Sequence, residues 1–290
     1  MGSERDRIPI DCCNLATQSE GPENSSMKQL LVAVAVFLWA GCDHHVDSVY
    51  LGRAEAKLLD AVSRGDIHVV QEYLDSGGNV NLQDEPGMTP LHHAVNADRK
   101  GSHLEMVKLL IARGANVNAI DDTEHSPLHM ASHAATAASL IDAGARVNAT
   151  TRRTGETSLF SAVWGAAQGA DKTYQSYLDL TKLLISNGAD VNAKLKSGDE
   201  QLRANSGIEE KPYHDKKGDT SLHKVARSFS EKHATMLCDL LINQGAVINE
   251  TNVLGHTPLD EALANQRSET AGFLRKLGAE TGEALRADGN

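Results

Sequence analysis

At 290 residues, with 40% hydrophobic, 23% charged and 4% aromatic side chains, the chain suits a soluble globular or repeat protein. It has too few rings for a large β-sandwich, so a helical fold is expected. A net charge of -11 and a pI near 5.6, without a basic stripe interleaved with aromatics, argue against a nucleic-acid partner. The cysteines, Cys12, Cys13, Cys42 and Cys238, form no CxxC pair and place only one thiol in the body of the chain, which excludes a disulfide framework as the organising principle.

In chain order the first element is MKQLLVAVAVFLWAGCDHH, residues 27–45. Lys28 provides a positive start and Leu30 to Trp39 an apolar run, too short for the ~20 residues a membrane-spanning helix needs but of signal-peptide length. The ending Leu38-Trp39-Ala40-Gly41-Cys42 resembles the lipobox of bacterial lipoproteins, although Trp39 stands where that pattern usually has an aliphatic or small residue. The resemblance implies a signal peptide over 27–41, lipidation of Cys42 and a tether over 42–53. Residues 1–26 then form a non-native upstream extension, with translation starting at Met27. Three other readings stay open: a buried core helix, a signal anchor and a non-lipidated secretory signal. Asp43 after the cysteine is associated in enterobacteria with inner-membrane retention, a rule that does not extend to every bacterium, so the choice of membrane stays open.

The body of the chain is periodic. Thr89-Pro90-Leu91-His92-His93-Ala94 is followed by the apolar run 104–111 and then Gly114-Ala115-Asn116-Val117-Asn118. The same order returns from Ser126-Pro127-Leu128-His129, Thr157-Ser158-Leu159-Phe160, Thr220-Ser221-Leu222-His223 and Thr257-Pro258-Leu259-Asp260. An opening copy near Ala56, with Leu58, Ala61, Gly65 and Gly77 in register, makes six. Thr or Ser can cap a first helix through its hydroxyl, and Pro is tolerated where its missing N–H would be unpaired. The later apolar run suits a second helix, which a glycine past its last turn stops. One unit cannot bury its own apolar face, whereas six stacked units share a core.

On these residues the stretch 54–280 resembles the ankyrin repeat family. The resemblance implies an all-α solenoid of six helix-turn-helix units with hairpin-like loops, near 54–86, 87–123, 124–154, 155–217, 218–254 and 255–280, then a polar tail over 281–290. It also implies a concave surface of first helices and loops that binds protein. Phe160 and Asp260 replace the motif histidine, putting the polar tie between neighbours in doubt there. The third copy is about three residues short between its helices.

Extra residues lie between helices around 96–103, 165–177 and 228–233, and a charged insertion of about twenty follows Asn192. Such loops often carry function, and that insertion reads either as a solvated spacer or as a binding element. Trp164, expected at the end of the fourth first helix, is followed by Tyr174 and Tyr177. All three are candidate partner contacts because aromatic side chains dominate interface hot spots; the alternative is that Trp164 pins the inserted loop. Asp84, Glu85, Asp121 and Asp122 fall at expected loop tips and are candidates for charge matching with a partner.

The motifs that reactions need are not evident: no dinucleotide or Walker glycine loop, no GxSxG and no HExxH. His125, His129 and His133 are spaced four apart, but Pro127 sets His125 before the helix and His129 holds a motif place that the resemblance makes structural. No metal, cofactor or catalytic residue is expected. The sequence therefore points to a non-catalytic, monomeric interaction lipoprotein of the bacterial envelope, facing the periplasm and binding a protein partner, or to an inhibitor of a basic enzyme or toxin. The competing readings are a cytoplasmic or host-exported interaction protein, and an enzyme with its site in the inserted loops.

Overall fold

The structure, a computed structural model, describes residues 52–98, 101–168, 171–196 and 216–288. The signal-peptide stretch, Cys42 and most of the insertion after Asn192 lie outside these residues. Among the described residues six helix pairs follow one another: α1 (Arg53–Arg64) with α2 (Ile67–Asp75), α3 (Pro90–Ala97) with α4 (Leu104–Ala112), α5 (Pro127–Met130) with α6 (Ala134–Asp142), α7 (Ser158–Gln168) with α8 (Asp171–Ser186), α9 (Ser221–Ala226) with α10 (Glu231–Asn243), and α11 (Pro258–Ala264) with α12 (Ser268–Lys276). The first helices α1, α3, α5, α7, α9 and α11 pack in succession as one layer; the second helices lie behind them. Between pairs the chain makes short hairpin-like fingers, one of which contains an antiparallel bridge between Thr150 and Thr157.

The repeated residues explain why each pair forms. The Thr89 amide donates to His92 Nδ1 (3.1 Å), the Thr89 hydroxyl caps the helix by accepting from the His92 amide (3.4 Å), and His92 Nε2 donates to the carbonyl of His125 in the next unit (3.1 Å). His129 repeats this from Ser126 to the Glu156 carbonyl, and His223 from Thr220 to the His256 carbonyl. Because Nδ1 accepts and Nε2 donates, each ring must be neutral, with its hydrogen on Nε2. Burial favours that state and lowers the pKa of all three imidazoles.

The two departures differ. Asp260 keeps the cap, since its Oδ2 accepts from the Thr257 amide at 2.8 Å, and the onward link passes to Thr257 Oγ1, which donates to the Glu280 carbonyl. At Phe160 the cap from the Thr157 hydroxyl persists (3.2 Å), but a phenyl ring has no polar atom to reach the next unit.

At the other end of the pairs, Gly114, Gly144, Gly188 and Gly245 have φ between +82° and +92°, a left-handed conformation that costs glycine little. An asparagine ladder follows from this turn. The Asn81 carboxamide donates to the Gly114 carbonyl (3.1 Å) and accepts from the Asn116 amide (2.7 Å). Asn118 does the same to Gly144 and Arg146, Asn148 to Gly188 and Asp190, Asn192 to Gly245 and Val247, and Asn249 to Gly278 and Glu280.

The core is shared along the stack. The motif leucines Leu58, Leu91, Leu128, Leu159, Leu222 and Leu259 are at most 2% exposed, and Leu110, Leu140, Leu184, Leu241 and Leu274 of the second helices are fully buried. Each such burial contributes roughly 1.5–3 kcal/mol relative to exposure. Cys238 sits in this core, where burial pushes its thiol pKa up to about 12 and suppresses the reactive thiolate. Among the described residues no helix is long and apolar enough to cross a membrane.

Some expectations need correction. The stretch around 165–177 is largely helical: it lengthens α7 and α8, placing Trp164 inside α7, a turn before its end. The polar tail contains a helix, α13 (Gly282–Asp288), whose Gly282 amide donates to Asp260 Oδ2 (2.8 Å). It stands where a seventh first helix would begin.

Candidate protein-binding surface

The finger frame is built from side chains that close a tight turn. Asp121 Oδ1 accepts from the amides of Thr123 and His125, both at 2.9 Å, and Asn252 Oδ1 accepts from those of Leu254 and His256. Thr151 Oγ1 does the same for Glu156. Successive fingers are linked through backbone, as in the bond from the Asp122 amide to the Pro86 carbonyl (3.0 Å). Gly87, Gly155, Gly218 and Gly255 share one place in the finger with positive φ; Glu124 holds that place at φ 68° without being glycine, a strain of about 1–3 kcal/mol. Its carboxylate accepts from the Arg153 amide on the next finger at 2.9 Å.

The acidic candidates therefore divide. Glu85 and Asp122 are exposed at finger tips. Asp121 is buried: burial pushes its carboxyl pKa upward, but hydrogen bonds from Thr123 and His125 outweigh this and hold it below the usual range. Asp84 accepts from the Met88 amide and pairs with His93 Nε2, both at 2.7 Å. These two acids shape their fingers, correcting the expectation of free charges at the tips. Beside them His125 faces Glu156 at 3.9 Å, a separation of charges too long for a direct hydrogen bond. The neighbouring carboxylate raises the His125 pKa against the opposing effect of burial.

The aromatic candidates also separate. Tyr174 is buried and stacks on His233 with ring centroids 3.8 Å apart, so it packs α8 against α10. Tyr177 lies across Gly165, where an added Cβ would collide with its ring. Trp164 is half-buried, with Lys224 Nζ 3.8 Å from its ring centroid and 5.2 Å from that of Phe160. A cation over aromatic faces thus occupies the junction that lacks a motif histidine. Trp164 and Tyr177 line one open cleft of about 550 Å³.

At the next junction lies a group of charges that sequence reading did not find. Arg227 donates to Asp219 Oδ2 (2.7 Å) and Glu261 Oε2 (3.3 Å), all three side chains being at most 1% exposed. Lys216 Nζ reaches Glu261 Oε1 at 2.7 Å, and Asn252 Nδ2 donates to Asp219 Oδ1 at 2.9 Å. Burial pushes the Glu261 pKa up, but Arg227 and Lys216 overcome this and hold it low.

Neither ring nitrogen of His129 is open to a metal, since Ser126 and the Glu156 carbonyl engage them. Among the described residues no group of three histidine, cysteine or acidic side chains is arranged to hold a metal.

This architecture is an ankyrin repeat stack. Residues 58–151 match the family model described as ankyrin repeats (3 copies). A 2-5A-dependent ribonuclease of Homo sapiens is 34% identical over 93 residues, covering 32% of this chain and 9% of that protein. A putative ankyrin repeat protein, FPV223, of Fowlpox virus (strain NVSL) is 38% identical over 61 residues, covering 21% of this chain and 40% of its own length. The chain thus spans less than half of either relative. Among solved structures, it resembles one chain of the complex between the predatory endopeptidase Bd0816 from Bdellovibrio bacteriovorus and immunity protein Bd3460. That match has 27% identity and a TM-score of 0.51, covering 78% of this chain and 98% of that one. An ankyrin repeat domain from Acinetobacter baumannii AYE matches at 24% identity and a TM-score of 0.58, covering 78% of this chain and 100% of that one.

Proposed function

We propose that the chain is a non-catalytic module that binds a protein partner through its fingers and first-helix layer, held at a bacterial envelope membrane by lipid on Cys42 and facing the periplasm. The observation that carries the binding role is a constant frame bearing variable tips. The same side-chain and backbone bonds build successive fingers, yet exposed tips change from acidic Glu85 and Asp122 to Arg152, 90% exposed, and then to apolar Val253 and Leu254, 58% and 52% exposed. A rigid scaffold presenting unlike tips loses little entropy on docking and gains specificity. Support for the envelope reading is the Ala40-Gly41-Cys42 pattern after an apolar run.

A second reading is favoured by the likeness to a chain from an endopeptidase–immunity protein complex: the partner is a hydrolase that this chain holds inactive. With a net charge of -11, docking to a basic partner would weaken with rising salt.

The test has two parts. Intact mass and membrane partitioning in native cells, beside Cys42→Ala, should show an acylated chain from Cys42 that loses its acyl group and membrane association on substitution. A soluble, unmodified chain starting at Met1 overturns the envelope reading. The full chain should then capture one partner reproducibly, and Arg152→Glu with Leu254→Asp should release it. Unchanged capture removes the fingers from the interface.

A further inference from the structure

The cleft beside Trp164 has a structural origin in uneven helix lengths. Helix α5 is a single turn of 4 residues, flanked by α3 with 8 and α7 with 11. The chain leaves α5 at Ala131 in extended conformation, ψ 135°, so the layer of first helices has a notch. Asn96 near the end of α3 and Trp164 and Gln168 on α7 line it, with Tyr177 of α8, Met130 and Ser132.

The notch has a defined chemistry. Its floor hydroxyls are already used, Ser132 Oγ donating to the Asp98 carbonyl (3.1 Å) and Ser176 Oγ to the Ser132 carbonyl (2.7 Å). Met130, Trp164 and Tyr177 supply apolar area. Asn96 and Gln168 are exposed, and among the described residues neither carboxamide is engaged. A carboxamide offers both a donor and an acceptor and so matches a peptide group. The His133 imidazole, its Nδ1 3.0 Å from the Ser132 hydroxyl, also lines the cleft, and Lys224 Nζ lies over the Trp164 ring, but no carboxylate is among the lining residues, so a cationic side chain entering it would lose water without gaining a counter-charge.

We propose that the notch binds an extended peptide segment of the partner that brings no cationic side chain into it. One bulky apolar side chain sits among Met130, Trp164 and Tyr177, and the flanking backbone bonds to the carboxamides of Asn96 and Gln168. The inference rests on the protein-binding reading and adds the chemistry of the bound segment. The cleft's volume, about 550 Å³, lies within the ~300–1,000 Å³ common for small-ligand sites, and its aromatic walls are the type that dominates hot spots.

The experiment uses the full chain with Trp39→Phe, leaving Trp164 as its one tryptophan, and follows its fluorescence during titration with acetyl-Gly-Phe-Gly-amide. A saturable change is expected, with the Lys analogue at least about tenfold weaker. Asn96→Ala with Gln168→Ala, both at exposed positions, should weaken binding about tenfold while leaving the melting temperature unchanged. No saturable change, equal response to the Lys analogue, or no loss in the double variant overturns the proposal. A response to N,N′-diacetylchitobiose but not to the peptide also overturns it, assigning the notch to a neutral glycan. Partner capture that survives both alanine changes removes the notch from the interface while the protein-binding reading stands.

Discussion

The junctions of the second and third units with their successors are each tied by a neutral imidazole, whereas the junction between the fifth and sixth units adds a group of buried charges to the tie made by His223. His92 and His129 each make one hydrogen bond to the next unit's carbonyl, a net contribution of about 1 kcal/mol apiece. Arg227, Asp219 and Glu261 are enclosed and depend on one another. The difference lies in the cost of failure: losing an imidazole leaves a carbonyl short of one donor and the cap amide without its acceptor, while losing one member of the charged group leaves an uncompensated ion in the interior.

The comparison breaks most visibly at Arg227. Arg227→Met should lower the unfolding free energy by about 3–5 kcal/mol, measured by urea denaturation. A loss below about 1 kcal/mol would mean that the cluster behaves as a hydrated surface pair. Next comes His129→Gln, expected to cost about 1–2 kcal/mol at neutral pH. Burial lowers the folded-state pKa of this histidine, so its contribution is fully present above the unfolded value of about 6.5. As pH falls from there toward the folded pKa, the unfolded state alone takes up the proton, and up to about 1.4 kcal/mol is lost per pH unit. The gap between wild type and His129→Gln should therefore narrow on acidification, and thermal melts in which it stays constant would show that the ring is not held neutral. The smallest effect is expected at the ladder, where Asn148→Ala should cost about 1 kcal/mol because its bonds are solvent-accessible. Hydrogen exchange at the amide of Asp190 should quicken if that rung is a real constraint.

The fold was legible because its punctuation recurs. Thr or Ser before Pro-Leu-His and Gly-Ala before Val-Asn each carry a local instruction, a cap in one case and a left-handed stop in the other. The doubt raised at Phe160 stands, since nothing polar replaces the imidazole. At Asp260 it does not, since the Thr257 hydroxyl donates to the Glu280 carbonyl and Asp260 Oδ2 accepts from the Gly282 amide. The candidate surface was less legible because burial depends on what lies across from a residue. Asp121 resembles any loop acid until its turn is folded, and Tyr174 looks like Tyr177 until His233 stacks on it. The group around Arg227 joins residues from 216 to 261 that have no common spacing, so no motif announces it. The missing residues of the third copy were visible, but the resulting notch depends equally on the length of α7.

The asparagine ladder has a consequence for how such a chain can change. In each rung the carboxamide meets only main-chain atoms of the next unit, and the five residues whose amides it receives are Asn116, Arg146, Asp190, Val247 and Glu280. Five unlike side chains serve one joint because none takes part in that joint. A unit copied, deleted or exchanged brings half of a standard coupling and finds the other half in any neighbour, so the number and order of units can drift while the joints between them need no redesign.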